Sequence, residues 1–309
     1  MIPRIDELRV FYNRSIRPEL ERLERMRRRL LAEMILALLS AVAIVMSFWL
    51  LDLEFLVLVT LLPILFYLGT LYLRRERFRQ AFKPAIVNLL LEFLNDTPNY
   101  QRLAYDANKA ISQDRFEHSG LFRPTPDLYH AEDYVQGMVG EMAFEMGEAY
   151  VREISPASNQ LQSVFSGLFV HAVFAERTLG RIAVWPRGKL RRLKRTVDAY
   201  VAGGGRRADI EVMNPHFRER FAVYAHPGTH VAGILTEPMQ EALVRFGRLQ
   251  HNDVFFAVRD QDLFIGVAHD YDLLEPSFWK PNLSFALVRG FYVDLVMALE
   301  CIRVFDQTH

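Results

Sequence analysis

Two long apolar runs lie near the start of the chain, separated by three residues. The first covers 30–51 and contains one charged residue, Glu33, and the second covers 55–73. At about 1.5 Å per residue, each run would span roughly the 30 Å hydrocarbon core of a bilayer as a helix. Both runs are apolar all round, whereas a helix buried in a soluble protein would keep a polar stripe. The pattern predicts a transmembrane helical hairpin over 30–73, with 52–54 as its turn.

Basic residues flank both apolar runs on the same side. Five arginines lie within 22–29, and four arginines and a lysine lie within 74–83. The connecting turn has two acids and no basic residue. Because positively charged flanks stay on the cytoplasmic side, we expect both termini in the cytoplasm.

The residues on either side of the hairpin have helical spacing. Residues 1–29 predict a cytoplasmic amphipathic helix that begins near Pro18 and continues into the first span. Its apolar stripe favours self-association, contact with the later domain, or packing on its own protein. Residues 74–130 are expected to form a juxtamembrane helical region, with a further helix around 101–111.

From about residue 131 the spacing of apolar residues changes to the alternation that is typical of strands. Helices are expected at 237–249 and 284–305. The pattern predicts an α+β cytosolic domain over 131–309, with a mainly antiparallel sheet or partly closed barrel and a C-terminal helix. The expected strands are 135–139 and 141–151 around a turn at Gly140, then 164–174, 181–185, 210–212, 221–225, 231–235, 254–258 and 263–267.

Charge and cysteine content exclude several classes. The chain has 37 basic and 37 acidic side chains, so the net basic character of a nucleic-acid-binding domain is missing and no nucleic-acid partner is expected. Cys301 is the single cysteine and gives neither a disulfide nor a zinc ligand set. No dinucleotide or phosphate-loop motif is present, and we expect no cofactor.

A basic stretch follows the strand expected at 181–185. Apolar residues fall on one face of a helix over 190–201, and basic residues take most of the remainder. Such a helix can lie among anionic lipid headgroups, each basic residue contributing about 1 kcal/mol. The alternative is a helix packed on the sheet with a solvated basic face. The candidate lipid-binding residues are Lys189, Arg191, Arg192, Lys194 and Arg195.

Three histidines are weak candidates for a metal site. His226 and His230 flank a Pro-Gly turn, and His216 precedes them by ten residues. Metal sites use histidine pairs, but this spacing is not one of the strong helical or finger patterns. Exposed turn histidines are the alternative.

Acidic residues also gather at the beginning of this domain, within 132–148. Glu141, Glu145 and Glu148 are interpreted as the solvent face of one strand rather than as a catalytic pair. Within an apparent strand, His171 is expected to be a satisfied core or edge residue.

Six segments together resemble a known family: FYNRSIRPELERLERMRRR, HSGLF, AEDYVQGMVGEMAFEMGEAYV, VFSGLFVHAVF, FRERFAVYAHPGTHVAGILTEPM and DVFFAVRDQDLFIGVA. Their order resembles uncharacterised bacterial membrane proteins with domain of unknown function 3137. The resemblance implies two spans near the N-terminus, a cytosolic C-terminal domain and a location in the bacterial inner membrane. It supplies no catalytic residues. The basic stretch around 187–207 departs from the usual family spacing, so no function common to the family is assigned to it.

Three functions are consistent with these observations. The first is a membrane-tethered, non-enzymatic adaptor or regulator whose partners are the bilayer, anionic lipid headgroups, another membrane protein or a second copy of itself. The second is a membrane-bound enzyme with a site near His216, His226 and His230. The third is a structural homo-oligomeric scaffold, in which Glu33 pairs with an arginine of a neighbouring chain.

Overall fold

The chain divides into two compact units. A computed structural model describes residues 4–51, 55–123, 125–155, 158–174, 180–249, 252–269 and 274–309. We call Arg4–Leu89 with Leu274–Val288 the helical unit, and Leu90–Leu273 with Arg289–His309 the sheet unit. The turn expected at 52–54 lies outside the described residues.

The helical unit is built on two long helices. A short helix α1 (Ile5–Phe11) and one π-helical turn (Tyr12–Ile16) lead into α2 (Arg17–Leu50), which has proline in its first turn as expected. Helix α3 (Phe55–Asn95) contains two prolines. Among the described residues, Ile5–Leu50 is the one helix that is long and apolar enough to cross a membrane. Two crossings therefore remain a prediction.

The sheet unit contains one antiparallel sheet. Among the described residues its order is β1-β2-β3-β4-β9-β8-β5-β7-β6. The end strands β1 and β6 do not pair with each other, so the sheet is open and the partly closed barrel is wrong. The strands are β1 (Tyr100–Asp106), β2 (Leu128–Val139), β3 (Met142–Ile154), β4 (Leu161–Val173), β5 (Arg181–Pro186), β6 (Arg206–Arg207), β7 (Phe221–Ala225), β8 (Asp253–Arg259) and β9 (Asp262–Ala268).

The remaining helices connect or cover these strands. They are α4 (Gln113–His118), α5 (Lys194–Ala202), α6 (Pro215–Arg220), α7 (Val231–Ile234), α8 (Glu237–Leu249) and α9 (Phe285–Thr308). Helices α8 and α9 confirm the two helices expected in this part of the chain.

Both hairpins expected from the alternating pattern are present. Val139 pairs with Met142 around Gly140, which has a φ of +59°. A side chain there would be strained by that φ, and its Cβ would clash with the Asp306 carboxylate. The β8–β9 hairpin pairs Val254 with Val267.

Three expected elements are wrong. The helix at 101–111 is strand β1, whose pairing with β2 includes a bulge near Arg102, where φ is +55°. The strand at 210–212 is a 3₁₀ turn in which Ile210 is 84% exposed, and the strand at 231–235 is helix α7. Short apolar runs fit a strand, a turn or a helix equally well, and here tertiary hydrogen bonds decide between them.

The core of the sheet unit lies on both faces of the sheet. Consecutive residues are buried along the centres of β8 and β9, which requires cover on each side. One face carries an aromatic cluster around Phe116, Phe165 and Phe169. Against the other, Phe291 and Leu295 of α9 approach side chains of β2, β3 and β4.

Candidate anion-binding cleft

A cleft of about 710 Å³ opens where the basic stretch meets one end of the sheet. Its walls come from the beginning of β4, the beginning of β8, the end of β9 and the segment 189–196. We call it the basic cleft. Its basic lining residues are Arg123, Lys189, Arg192 and Arg195, and its acidic ones are Glu153 and Asp253.

The basic stretch folds as a turn followed by a short helix. Arg187–Lys189 forms a 3₁₀ turn and α5 begins at Lys194, later than the sequence predicts. Leu193 is buried in the aromatic core, and Val197 and Tyr200 pack against it. The apolar face of this segment therefore lies against the sheet, which leaves the basic side chains toward the cleft and solvent.

One hydroxyl holds the backbone of Arg123, the basic residue of the cleft that lies outside the segment 189–196. The Thr196 side chain accepts a hydrogen bond from the Arg123 amide at 2.9 Å and donates to the Arg123 carbonyl at 3.2 Å. Thr196 is buried, and the two residues are 73 positions apart. Arg123 is not predictable as a member of this site from the sequence, because no local pattern connects it with the basic stretch.

Among the described residues, two of the four basic side chains of the cleft have a carboxylate partner and two do not. Lys189 lies 2.9 Å from Asp253, and Arg195 bonds one carboxylate oxygen of Glu153. The other Glu153 oxygen is buried without a hydrogen-bond partner among the described residues. Within the same described ranges, neither Arg123 nor Arg192 has a carboxylate within 4.0 Å. The described lining of the cleft therefore carries more basic than acidic side chains, an arrangement that attracts anions.

A buried histidine adds a fixed polar group to the cleft lining. His269 is 4% exposed, and its Nδ1 accepts from the Asn252 side-chain amide at 2.9 Å. An Nδ1 that accepts leaves the ring proton on Nε2, which lies 3.7 Å from the fully buried Asp294. Nothing in the sequence pattern indicates this arrangement, since Asn252 and Asp294 are far apart in the chain.

Of the five predicted lipid-binding residues, three line the basic cleft and two lie outside its lining. Lys189, Arg192 and Arg195 line the cleft, whereas Arg191 and Lys194 are not among its lining residues. Both of these are exposed, and Lys194 pairs with Asp198 one helical turn later. The spacing predicted a basic surface but not which of its members face one cavity.

The three histidines do not form a metal-ligand group among the described residues. His216 is exposed in α6 and lies 3.8 Å from Glu219. His230 is exposed at the start of α7. His226 is half-buried against the ring of Tyr200, where burial and two nearby arginines lower the pKa of its imidazole.

The acidic residues are more buried than a solvent face requires. Glu148 is 1% exposed, and its carboxylate lies within 4.8 Å of those of Glu132 and Asp133. The interpretation of Glu148 as solvent-facing is therefore wrong, because helix α9 covers this side of the sheet.

The prediction for His171 is confirmed. This histidine is 2% exposed, and its ring nitrogens lie 3.0 Å from Glu145 and 2.7 Å from Asp262. Hydrogen bonding to the imidazole outweighs burial and lowers the pKa of Glu145. Both nitrogens of this core histidine are therefore satisfied.

Comparison with known proteins identifies a family over part of the chain. No curated protein matches the chain, and no solved structure matches it. A family model, in contrast, matches the segment from within β4 to nearly the end of α9. This segment includes most of the residues that line the basic cleft. Residues 163–307 match the family described as Protein of unknown function (DUF3137), which confirms the resemblance over that part of the chain.

Proposed function

We propose that this protein is a membrane-tethered, non-enzymatic adaptor or regulator with an anion-binding cytosolic domain. In this proposal α2 and the first part of α3 cross the bacterial inner membrane as a hairpin, and both termini are cytoplasmic. The sheet unit is cytosolic and receives an anionic group in the basic cleft.

One observation carries the membrane part of the proposal: the apolar side chains of α2 and α3 face outward. Leu36 is 66% exposed and Phe66 is 78% exposed. A soluble protein normally leaves apolar patches of only a few hundred Å² open, so many exposed apolar side chains on two long helices favour surroundings of lipid. The other exposed large residues are Ile35, Leu38, Leu39, Val42, Val45, Met46, Trp49, Leu50 and Leu51 at the end of the first run, and Val59, Leu62, Leu65, Tyr67, Tyr72 and Leu73 on α3.

The one charged residue within the apolar runs has partners in its own chain. Glu33 accepts from the Tyr67 hydroxyl at 3.1 Å and lies 3.4 Å from the Arg74 guanidinium. An acid near the end of a span needs such partners because it is costly to leave unpaired in lipid. The arginine that the scaffold hypothesis sought in a neighbouring chain is thus supplied by α3.

The charge of the cleft supports the binding part of the proposal. No carboxylate of the described residues lies within 4.0 Å of Arg123 or Arg192. Guanidinium groups bind phosphate and carboxylate with two parallel hydrogen bonds. Lys189 and Arg195 are held in place by their own acidic partners. The preferred ligand is therefore an anion that fits between two arginines.

Anion binding can be tested on the full chain in nanodiscs of neutral lipid. Titration with inorganic phosphate and with glycerol phosphate, followed by calorimetry, should show binding. We expect Arg192→Glu to weaken it at least about tenfold, since charge-assisted hydrogen bonds contribute roughly 1.5–3 kcal/mol. Arg191→Glu is the matched control, because it makes the same charge change outside the cleft. Absence of binding to the unaltered protein, or equal losses in both variants, would overturn the cleft assignment.

A further inference from the structure

A loop of the helical unit presents an aromatic side chain where the cytoplasmic ends of the two spans would lie. The loop covers 276–282, just before α9 begins at Phe285. Trp279 at its tip is 68% exposed, whereas its neighbour Phe278 is 6% exposed. We propose that Trp279 inserts into the membrane interface and anchors this loop to the bilayer. The inference rests on the proposed crossing of α2 and α3.

A nearly buried ion pair holds the loop against α2. Glu24 and Arg27 are 3% and 4% exposed and are joined at 2.7 Å. The Arg27 guanidinium donates to the Phe278 carbonyl at 2.7 Å, and a Glu24 oxygen accepts from the Asn282 amide at 3.4 Å. The ion pair therefore binds the backbone at two places, on either side of Trp279.

Helix α3 holds the same segment from its other side. Glu275 lies 3.0 Å from both Arg79 and Lys83. The Arg75 guanidinium lies over the ring of Phe278, 5.4 Å from its centre. The loop thus has a fixed place beside both long helices.

The loop is also closed by its own hydrogen bonds. The Asn282 side chain accepts from the Ser277 amide at 2.8 Å and donates to the Ser277 carbonyl at 2.9 Å. The Ser277 hydroxyl accepts from the Lys280 amide at 3.0 Å. Trp279 therefore projects from a preorganised loop, so little conformational entropy is lost when it is immobilised.

The contacts set the depth of the loop relative to the apolar runs. Arg27 lies three residues before the first run, and Arg75 lies two residues after the second. At about 1.5 Å per residue, both arginines are within about 5 Å of the hydrocarbon boundary along their helices. The Phe278 carbonyl bound by Arg27 is accordingly at the level of the lipid headgroups.

The chemistry of the loop tip fits that level. Tryptophan is enriched at membrane interfaces because its ring is apolar while its N–H can bond to water or headgroups. The next residue, Lys280, is exposed and would meet lipid phosphate. In water the same tip would leave a large aromatic ring open to solvent. Contact with the bilayer interface therefore accounts for an exposed tryptophan next to an exposed lysine, and it fits the depth at which the loop is held.

Fluorescence quenching of the full chain in vesicles tests the inference. The protein has three tryptophans, at 49, 185 and 279. Trp185 is fully buried in the sheet unit, and Trp49 is exposed near the far end of the first apolar run. Phosphatidylcholine carrying bromine either near the headgroup or near the chain ends serves as a quencher of known depth. The emission of Trp279 is obtained as the difference between the unaltered chain and Trp279→Phe.

We expect the Trp279 emission to be shifted to the blue relative to water and to be lost mainly with the shallow quencher. The emission of Trp49, obtained as the difference between the unaltered chain and Trp49→Phe, should also be quenched by the brominated lipid. The emission of the buried Trp185 should not be quenched. Quenching of Trp49 without quenching of Trp279 would overturn the anchor while the membrane crossing stands. If neither tryptophan is quenched, the proposed crossing fails.

Discussion

The two units differ in where their longest apolar stretches lie. In the helical unit, Leu36 and Phe66 are exposed while Glu24 and Arg27 are buried. In the sheet unit, Phe116 is fully buried and most arginines reach solvent. Transfer of apolar surface from water into an apolar environment is favourable. The two arrangements are therefore stable in different surroundings. This contrast is what the proposed membrane crossing predicts, with lipid around the apolar stretches of the helical unit and water around the sheet unit.

The contrast extends to what the charges do. In the helical unit a buried ion pair binds the backbone of the loop at 276–282 and so determines local structure. In the sheet unit, Arg123 and Arg192 line a wide cleft and have no carboxylate partner among the described residues. The buried ion pair fixes the conformation of a loop. Basic side chains that line an open cleft attract anions to it.

The largest expected effect comes from an aromatic side chain of the sheet unit. Phe116 is stacked on Phe122, with ring centres 5.2 Å apart, and contacts Phe165 and Phe169. Phe116→Ala should lower the free energy of unfolding by about 3–5 kcal/mol because it leaves a cavity among these rings. Denaturant unfolding of the full chain in detergent, followed by circular dichroism, measures the change.

Phe66→Ala in α3 is the matched control, since it deletes the same ring from an exposed position. It should change the unfolding free energy by less than about 0.5 kcal/mol. A cost equal to that of Phe116→Ala would mean that the apolar faces of α2 and α3 are covered by protein, and the comparison between the units would break.

A slightly smaller loss is expected from the buried ion pair. Glu24→Gln leaves the Arg27 charge buried without its acid, which should cost about 3 kcal/mol of unfolding free energy. Glu21→Gln is the control, because its partner Arg17 and Glu21 itself are both well exposed and such a pair is worth at most about 1 kcal/mol. Thermal unfolding in detergent distinguishes the two. Equal effects would show that the loop is not held by this pair.

The same pair predicts a dependence on pH. Hydrogen bonds from Arg27, opposed by burial, lower the pKa of Glu24 from 4.5 to about 2. A carboxyl whose pKa is lowered by folding stabilises the folded state above the unfolded value. This contribution should be complete above pH 4.5 and disappear as the pH falls toward 2. The difference in unfolding temperature between the unaltered chain and Glu24→Gln should therefore shrink over that window, and a constant difference would contradict the assignment.

The smallest expected effect concerns the position of Arg123. Thr196→Val removes both hydrogen bonds to the Arg123 backbone and should cost about 1 kcal/mol of stability. Because the cation loses its fixed place, phosphate binding in the calorimetric assay should also weaken by a few-fold. Thr196→Ser keeps the hydroxyl and should bind nearly as well as the unaltered chain. If Thr196→Val binds phosphate normally, Arg123 does not act through this contact.

The sequence pattern predicted those helices and hairpins that depend mainly on interactions between neighbouring residues. Gly140 located one hairpin, and the polar residues at 259–262 located the other. Thr236 as a cap with Pro238 in the first turn located α8, and apolar residues located α9. Strand β1 was missed because its structure depends on pairing with β2, which the residues around Arg102 do not specify. Ile210 was misplaced because an isolated apolar residue in a turn has the same local pattern as one in a short strand.

The sites depend on contacts between distant residues, and so the sequence predicted them only in part. A basic face at 189–195 was evident, but the cleft also needs Arg123, held by Thr196. The loop around Trp279 is positioned by Glu24 and Arg27, more than 250 positions earlier. No periodicity relates residues at such separations, and their proximity is a property of the fold.

Membrane insertion itself is tested most directly by extraction. The full chain is expressed in bacteria, the membranes are washed with alkaline carbonate, and the chain is quantified in the pellet and the supernatant. If α2 and α3 cross the bilayer, the protein stays in the pellet and leaves it only with detergent. Release by carbonate alone would show that the outward-facing leucines and phenylalanines are not embedded in lipid, and would contradict the account.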